Sequence, residues 1–545
     1  MKNIRNIIAF VVMTLLACNV QARTVEIKVS QCPKPYVENI RKMTSGLGVN
    51  DMLILNFDKA GKYEFDGSLK FRCNTTIKGL SPEKTKVIVK EGFVNGKSKM
   101  TDDVFFAIHG STNRKVRATI KDISFELASH NGILWTDNPK YLVKIWYGDG
   151  VLVDNIVSKT QNAVLTNLDL RECENVVVQN SEFENYNNCM ASGNLWSRGK
   201  QNNIVVRNNI FRKYGHDEVL AFWGGQSNTN EVTEMKDIVV EDNDFYFGNK
   251  INSKNNFRSA VFICFYHFKE DIYHFNNPCE VDNIVFRNNS ITIDDVIGRD
   301  IAFFFDELAT VGEIEISNNT ITNTRKTSTK DNYMNDITIE ACGNINNPVV
   351  IKDNTVENHG EILYDGKNSG YTFLSLKDVD VNLERNIIDS DYKMGFIWVH
   401  DGSLDIALRD NQVSGINKTA TLNSKKQNNY INISAFNNTL SGDTRISCQN
   451  VNNLSLDFMN NTFNSSDYHI FLQEGADQTS VIFDNNVINS KSGSGTLCAN
   501  YSGKRINFKS VSVKNNIFKG ISKGSSVIGD FSKSRNKSIQ GNVYY

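Results

Sequence analysis

Lys144, Arg198, Arg258 and Lys269 are cations spread through the middle of the chain, and Tyr266 and His267 stand among them as groups able to move a proton. Cations beside a proton carrier suit removal of a proton α to a carboxylate. That reaction requires the carboxylate to be neutralised, a base to be supplied and the leaving oxygen to be protonated. A second set points elsewhere. In "GHDEVLAFWGG", Asp217 and Glu218 are adjacent, and hydrolysis of a glycosidic bond uses two carboxylates flanking it. Neighbours along a strand point to opposite faces, so at most one of this pair reaches a given bond.

Aromatic and amide residues recur in short strand-like runs: "LVKIWYG", "AVLTNLDL", "GNLWSRG", "VLAFWGG", "YTFLSLKD" and "GFIWVHDG". Stacked in register, such runs bring Lys144, Trp146, Asn167, Arg171, Asn194, Trp196, Trp223, Lys377, Trp398 and His400 into one outward row, with Asp169, Arg198, Tyr266, Asp306 and Glu340 among them. Sugar rings stack their C–H faces on aromatics while their hydroxyls pair with amides and charges, so the row reads as a carbohydrate groove. A register slip of one residue would invert any of these strands. The stretch 193–213 carries Arg198, Lys200, Arg207, Arg212 and Lys213 and no acid, a local field that favours an acidic polysaccharide as partner.

The elements that must position these residues repeat along the chain. "NIVVRNNIF", "DIVVEDNDF", "NIVFRNNSI", "EIEISNNTI" and "SVSVKNNIF" are each an alternating strand, an asparagine turn and a second short strand. The turn asparagines are Asn155, Asn180, Asn209, Asn243, Asn289, Asn319, Asn354, Asn386, Asn411, Asn438, Asn461, Asn486, Asn516 and Asn542. Their spacing, from 23 to 46 residues, is that of a solenoid with insertions. Alternation of period two leaves one face of each strand buried and one wet. A single turn residue must tolerate left-handed backbone angles, which asparagine does best after glycine. Stacked asparagines can also hydrogen-bond from coil to coil. No coil buries its inner face alone, so stacking closes the core.

These repeats resemble the right-handed parallel β-helix of the pectate-lyase-like superfamily over about residues 101–545, which implies an all-β solenoid of roughly 14 coils. The resemblance implies a polysaccharide-active protein, but the scaffold hosts lyases, hydrolases, epimerases and binding proteins. For a lyase it implies Lys or Arg as base, often with Ca2+, for which Asp306 and Glu340 are the candidate ligands. "GHDEVLAFWGG" resembles a strand of the polygalacturonase-like enzymes and places Asp217 and Glu218 on that family's acidic pair. The neighbouring coils "NNCMASGNLW" and "FRSAVFICFYHF" lack that family's Asn-Thr-Asp and His-Gly elements. The expectation is therefore a lyase cleaving a uronic-acid polysaccharide by β-elimination, with a glycoside hydrolase and a non-catalytic glycan-binding solenoid as alternatives.

A formal net charge of −1 over 545 residues gives no global attraction to nucleic acid or to a membrane surface. Residues 1–22, "MKNIRNIIAFVVMTLLACNVQA", read as an export signal, and "LLAC" admits a lipid anchor at Cys18. Residues 23–100, with a short amphipathic helix in "CPKPYVENIRKMTSG", read as a cap and first rungs before a helix over 101–545. No later segment reads as a membrane span, and a monomer is expected. The cysteines show no zinc-binding spacing. Cys32 with Cys73, and Cys264 with Cys279, are possible disulfides, against a reading as small buried residues.

Overall fold

Residues 22–89, 104–127, 141–160, 166–186, 193–214, 218–224, 232–248, 261–266, 278–294, 298–324, 334–341, 344–359, 371–391, 394–465, 470–472, 478–490, 497–499, 508–521 and 534–545 are described by the structure, a computed structural model. The chain winds as a right-handed parallel β-helix. Each strand pairs in parallel with its counterpart one coil later, as Glu174–Gln179 does with Gln201–Arg207 and that strand with Thr233–Glu241. Three such ladders form the walls. One, called the groove sheet below, contains Val104–His109, Tyr141–Trp146, Thr166–Arg171, Gly193–Arg198, Leu220–Trp223, Phe262–Tyr266, Arg299–Phe305, Met334–Ala341, Tyr371–Lys377 and Met394–Asp401.

Alternation dictates what lies inside. Val178, Val206, Val240, Phe286, Ile316, Ile351, Leu383 and Leu408 stack in one buried column of the second sheet. On the third sheet the rings of Phe183, Phe211 and Phe245 stack with centroids 5.2 and 5.1 Å apart. Like residues stack well because successive coils are only about 4.8 Å apart. The first coils are covered by the helix Tyr36–Thr44, which buries Val37 and Ile40 and ties down through Arg41 Nε to the Ser68 carbonyl at 3.0 Å. Cys32, Cys73, Cys264 and Cys279 are buried free thiols, so neither possible disulfide forms. No helix among the described residues is long and apolar enough to cross a membrane. The export signal and Cys18 lie outside the described residues.

The asparagine turns differ from expectation by one residue. At Asn155 and Asn180 the asparagine itself takes φ near +50°. From the next coil onward the left-handed position falls on the preceding residue: Asn208, Asp242, Asn288, Asn318, Asp353, Arg385, Asp410, Asn437, Asn460, Asn485 and Asn515. The asparagine after it turns its side chain inward to form a ladder. Asn209 donates its backbone N–H and its Nδ2 to Asn243 Oδ1, both at 3.0 Å, and Nδ2 also donates to the Val178 carbonyl at 2.9 Å. The pattern repeats through Asn289, Asn319, Asn354, Asn386, Asn411, Asn438, Asn461 and Asn486 to Asn516 and Asn542. Asparagine is required there because it supplies an acceptor and two donors from one short side chain.

Candidate active site

Register on the groove sheet places outward residues in two adjacent rows. One runs Lys70, Ala107, Lys144, Asp169, Trp196, Ala221. The other runs His109, Trp146, Arg171, Arg198, Trp223, with Arg72 just before His109 at the start of the row. Residues from strands far apart in sequence thereby meet on one small area.

At its centre Asp169 is fully buried. Arg198 donates Nε to Asp169 Oδ1 at 2.9 Å and a second N–H to the same oxygen, and Lys144 Nζ lies 3.8 Å from Oδ2. Arg198 Nη2 also donates to the Tyr141 hydroxyl oxygen at 3.0 Å. Burial works against the charge on Arg198, but Asp169 and Tyr141 more than offset it and hold its pKa above the ordinary value. Lys144 Nζ sits over the rings of Tyr141 and Trp146, 4.3 and 4.1 Å from their centroids, a geometry in which the ring face attracts the cation. Trp146 stacks on His109 at 4.6 Å with an interplanar angle of 12°. Burial, then Lys144, Lys70 and Arg72, push the His109 pKa down to about 4, so the ring is neutral near pH 7. Arg171, on the coil after Trp146, lies over its ring at 5.5 Å from the centroid. It is half-buried and, among the described residues, makes no ion pair with a carboxylate.

Of the residues expected on the groove, Lys144, Trp146, Arg171 and Arg198 thus come together. Trp196 and Trp223 also face outward, their rings 6.1 Å apart, in a small apolar cluster with Ala221, Ala302 and Phe304. Glu340, Lys377 and Trp398 continue the rows farther along. There His400 Nε2 lies 2.5 Å from Ser375 Oγ, and burial, Arg299 and Lys377 lower its pKa to about 4.

Others are corrected. Asn167 and Asn194 turn into the corner between the groove and third sheets. Asn167 Nδ2 donates to Ser158 Oγ and the Glu184 carbonyl, and Asn194 Nδ2 donates to the Phe183 and Arg212 carbonyls. They stand at the start of their strands, where the bend leaves carbonyls that need donors. Tyr266 pairs in backbone register with Phe305 on the next coil, and its side chain lies outside what the structure describes. Glu218 is buried. Asp306 accepts from the Leu308 N–H in a turn, and Glu340 lies 3.9 Å from Arg299. No group of three or more His, Cys, Asp or Glu able to hold a metal occurs among the described residues. The basic stretch after Arg198 disperses over other faces. Lys200 pairs with Glu174 and Glu234, Arg207 with Gln179 and Arg212 with Glu182, while buried Lys213 donates to Asn185. Asp217, Arg258, His267 and Lys269 lie outside the described residues.

Sequence reasoning missed His109 and Tyr141. His109 ends "VFFAIH", a run that alternates like the others and shares their register, so extending the row one coil earlier would have found it.

No family model matches the chain, and no curated protein matches it. Among solved structures it is similar to a family 28 exopolygalacturonase of Yersinia enterocolitica, with a TM-score of 0.40 and 11% identity over 72% of this chain and 76% of that one. It is similar to the catalytic unit of a GH87 α-1,3-glucanase of Streptomyces thermodiastaticus, with a TM-score of 0.38 and 12% identity over 94% and 71%. It is also similar to a PL6 alginate lyase, with a TM-score of 0.25 and 12% identity over 96% and 100%. No residue role passes from these proteins to this chain. On its own strand ladders, the chain is a right-handed parallel β-helix.

Proposed function

We propose that the protein is an exported polysaccharide-degrading enzyme, a lyase that cleaves a uronic-acid polymer by β-elimination at the cluster around Trp146. The observation that carries this reading is Arg171, a half-buried outward cation that forms no salt bridge among the described residues, although its charge acts on neighbouring Glu172, and that stands beside Lys144 and Trp146. A substrate carboxylate supplies the missing anion, and a guanidinium binds it through two parallel hydrogen bonds. Neutralising that carboxylate acidifies the adjacent C–H. Tyr141 is the proton carrier, its hydroxyl oxygen accepting from Arg198 and its ring lying against Lys144. Having taken the proton, the same hydroxyl can return it to the leaving oxygen. Arg198, held protonated, is an electrostatic element and not a base. Trp146, packed among His109, Lys144 and Arg171, holds the two cations in place, and His109 adds no charge at neutral pH.

Hydrolysis is less well served. Asp169 and Glu340, outward carboxylates of the described rows, are five coil steps apart, about 24 Å along the axis, where a glycosidase pair stands at most about 9.5 Å apart.

Ultraviolet absorbance, followed with hyaluronan, chondroitin sulfate, heparan sulfate, alginate and polygalacturonate, with and without chelator, tests the proposal. The unsaturated uronate should appear with at least one polymer, and Tyr141→Phe should abolish it while binding persists. Loss of activity in chelator would assign a role to Ca2+. Flat absorbance with new reducing ends would replace elimination with hydrolysis, and flat absorbance without new ends would leave a glycan-binding solenoid.

A further inference from the structure

On the later coils the strand Gln412–Asn423 passes from the third sheet into the groove sheet, and Lys418 stands at the bend. A bulge sets it there: Met394 pairs with Ile416 but Gly395 with Lys418, so this strand carries an extra residue. Bulges re-aim the side chains beside them. The residue facing Lys418 on the coil before is a glycine, which has no side chain to cover the ammonium. On the coil after, the register that pairs Ile416 with Gly442 and Ala420 with Ile446 sets Thr444 opposite, between Asp443 and Arg445. Thr419, next to Lys418, donates its N–H to the Arg445 carbonyl at 2.8 Å.

Charge at this corner is unbalanced. Asp443 is taken by Arg445, which donates Nε to Asp443 Oδ2 at 2.7 Å and a second N–H to the same oxygen. Lys418 is half-buried and makes no ion pair or side-chain hydrogen bond among the described residues. Burial, then the charge of Arg445, hold its pKa below the ordinary value. Two cations and one carboxylate leave one surplus positive charge among these groups, partly withdrawn from water.

We infer that Lys418 and Arg445 form a second anion site, which takes a carboxylate or sulfate of the acidic polysaccharide apart from the cluster around Trp146. An anion between them is attracted by both cations and offsets the repulsion that opposes the charge on Lys418. Asp443 limits the site to a single acid group, because a second would face its carboxylate. The inference rests on the acidic-polysaccharide reading of the protein but on different residues. From Arg171 to Lys418 the ladder counts eight coil steps, about 38 Å along the axis, so a disaccharide reaches only one of the two sites. A chain long enough to reach both gains affinity from the two at once.

Acylation of lysines by N-acetoxysuccinimide, read residue by residue by mass spectrometry, locates the anion without requiring turnover. Saturating chondroitin sulfate or polygalacturonate should protect Lys418 and leave exposed Lys519 reactive, while inorganic sulfate at equal ionic strength should protect neither. Equal protection by inorganic sulfate would mark a site for simple ions and overturn the polysaccharide assignment. Binding of the same polymers, fluorescently labelled, gives a second measurement. Lys418→Gln should raise Kd for long chains about tenfold, a change of about 1.4 kcal/mol. Arg171→Gln tests the reading on which this rests. If Arg171→Gln weakens binding and Lys418→Gln does not, with Lys418 still acylated under polymer, the second site is overturned and the substrate reading stands. Failure of every acidic polymer to bind would overturn both. Protection of Lys418 together with undiminished binding by Arg171→Gln would keep this inference and remove the cluster around Trp146.

Discussion

Arg171 and Asp169 stand two residues apart on one strand yet have different roles. Asp169 is consumed by the protein: it holds Arg198 and faces Lys144, and its removal would leave buried cations unpaired, which costs several kcal/mol. Arg171 forms no salt bridge among the described residues and only lies over Trp146 and near Glu172, so its replacement largely separates function from stability. Arg171→Gln is expected to cost no more than about 1 kcal/mol, the worth of a partly exposed cation over an aromatic ring. The same substitution should raise KM for the acidic substrate about 10- to 150-fold, the worth of a charge-assisted hydrogen bond of about 1.5–3 kcal/mol. Paired thermal melts and kinetics check it. A large fall in melting temperature with unchanged KM would show that Arg171 braces the fold and does not bind substrate.

At the scale of the strand and turn, the buried asparagine and its left-handed neighbour divide two tasks that a single residue was expected to perform. Asn319 accepts from the Asn289 backbone N–H and Nδ2, donates to Asn354 Oδ1 and donates to the Phe286 carbonyl. Asn319→Ala would orphan several buried groups at once and is expected to cost about 2–4 kcal/mol. Asn318, with φ of +53°, needs only a residue that tolerates that angle, so Asn318→Gly should change stability by less than about 1 kcal/mol. Urea denaturation of the two variants checks the division, and the reverse order of effects would contradict it. Arg385 shows the same logic under strain. It is neither Gly, Asn nor Asp at the left-handed position, and it forks onto Asp353 on the previous coil through Nε at 2.7 Å and Nη2 at 2.8 Å.

For the whole molecule, the solenoid makes stability a sum over coils and their interfaces, so titrations on separate coils add. His109 and His400 both have folded pKa values near 4 against 6.5 for an unperturbed imidazole. Between those values the unfolded chain binds more protons than the folded one, so stability falls as pH drops from about 6.5 towards 4 and is insensitive to these groups above that window. The melting temperature should therefore decline on acidification through this range, and His109→Gln with His400→Gln should flatten the decline. An unchanged slope in the double variant would assign the acid sensitivity to carboxylates. A net charge of −1 conceals the segregation that matters, because Lys70, Arg72, Lys144, Arg171 and Arg198 gather on one face from strands 128 positions apart at the extremes.

What the sequence determined by itself was everything local and repeated. Alternation in "NIVVRNNIF" and its relatives specifies strands with one buried face, the asparagine spacing specifies coils, and both are carried within each repeat, so the solenoid was legible. Lys144, Trp146, Arg171 and Arg198 were legible too, because stacking in register preserves parity from coil to coil. Only the tertiary structure decided the rest. Asn167 and Asn194 share the outward parity yet turn inward, since a residue next to a strand's start answers to the corner carbonyls and not to the pleat. Trp196 and Phe304 face outward yet are sheltered, which depends on what lies over a strand and not on the strand. Tyr141 reaches Arg198 across 57 residues, and Asp169 claims the charge of Arg198 while leaving that of Arg171. Which cation stays available is set by distances between side chains on different coils, and no property of a single coil encodes it.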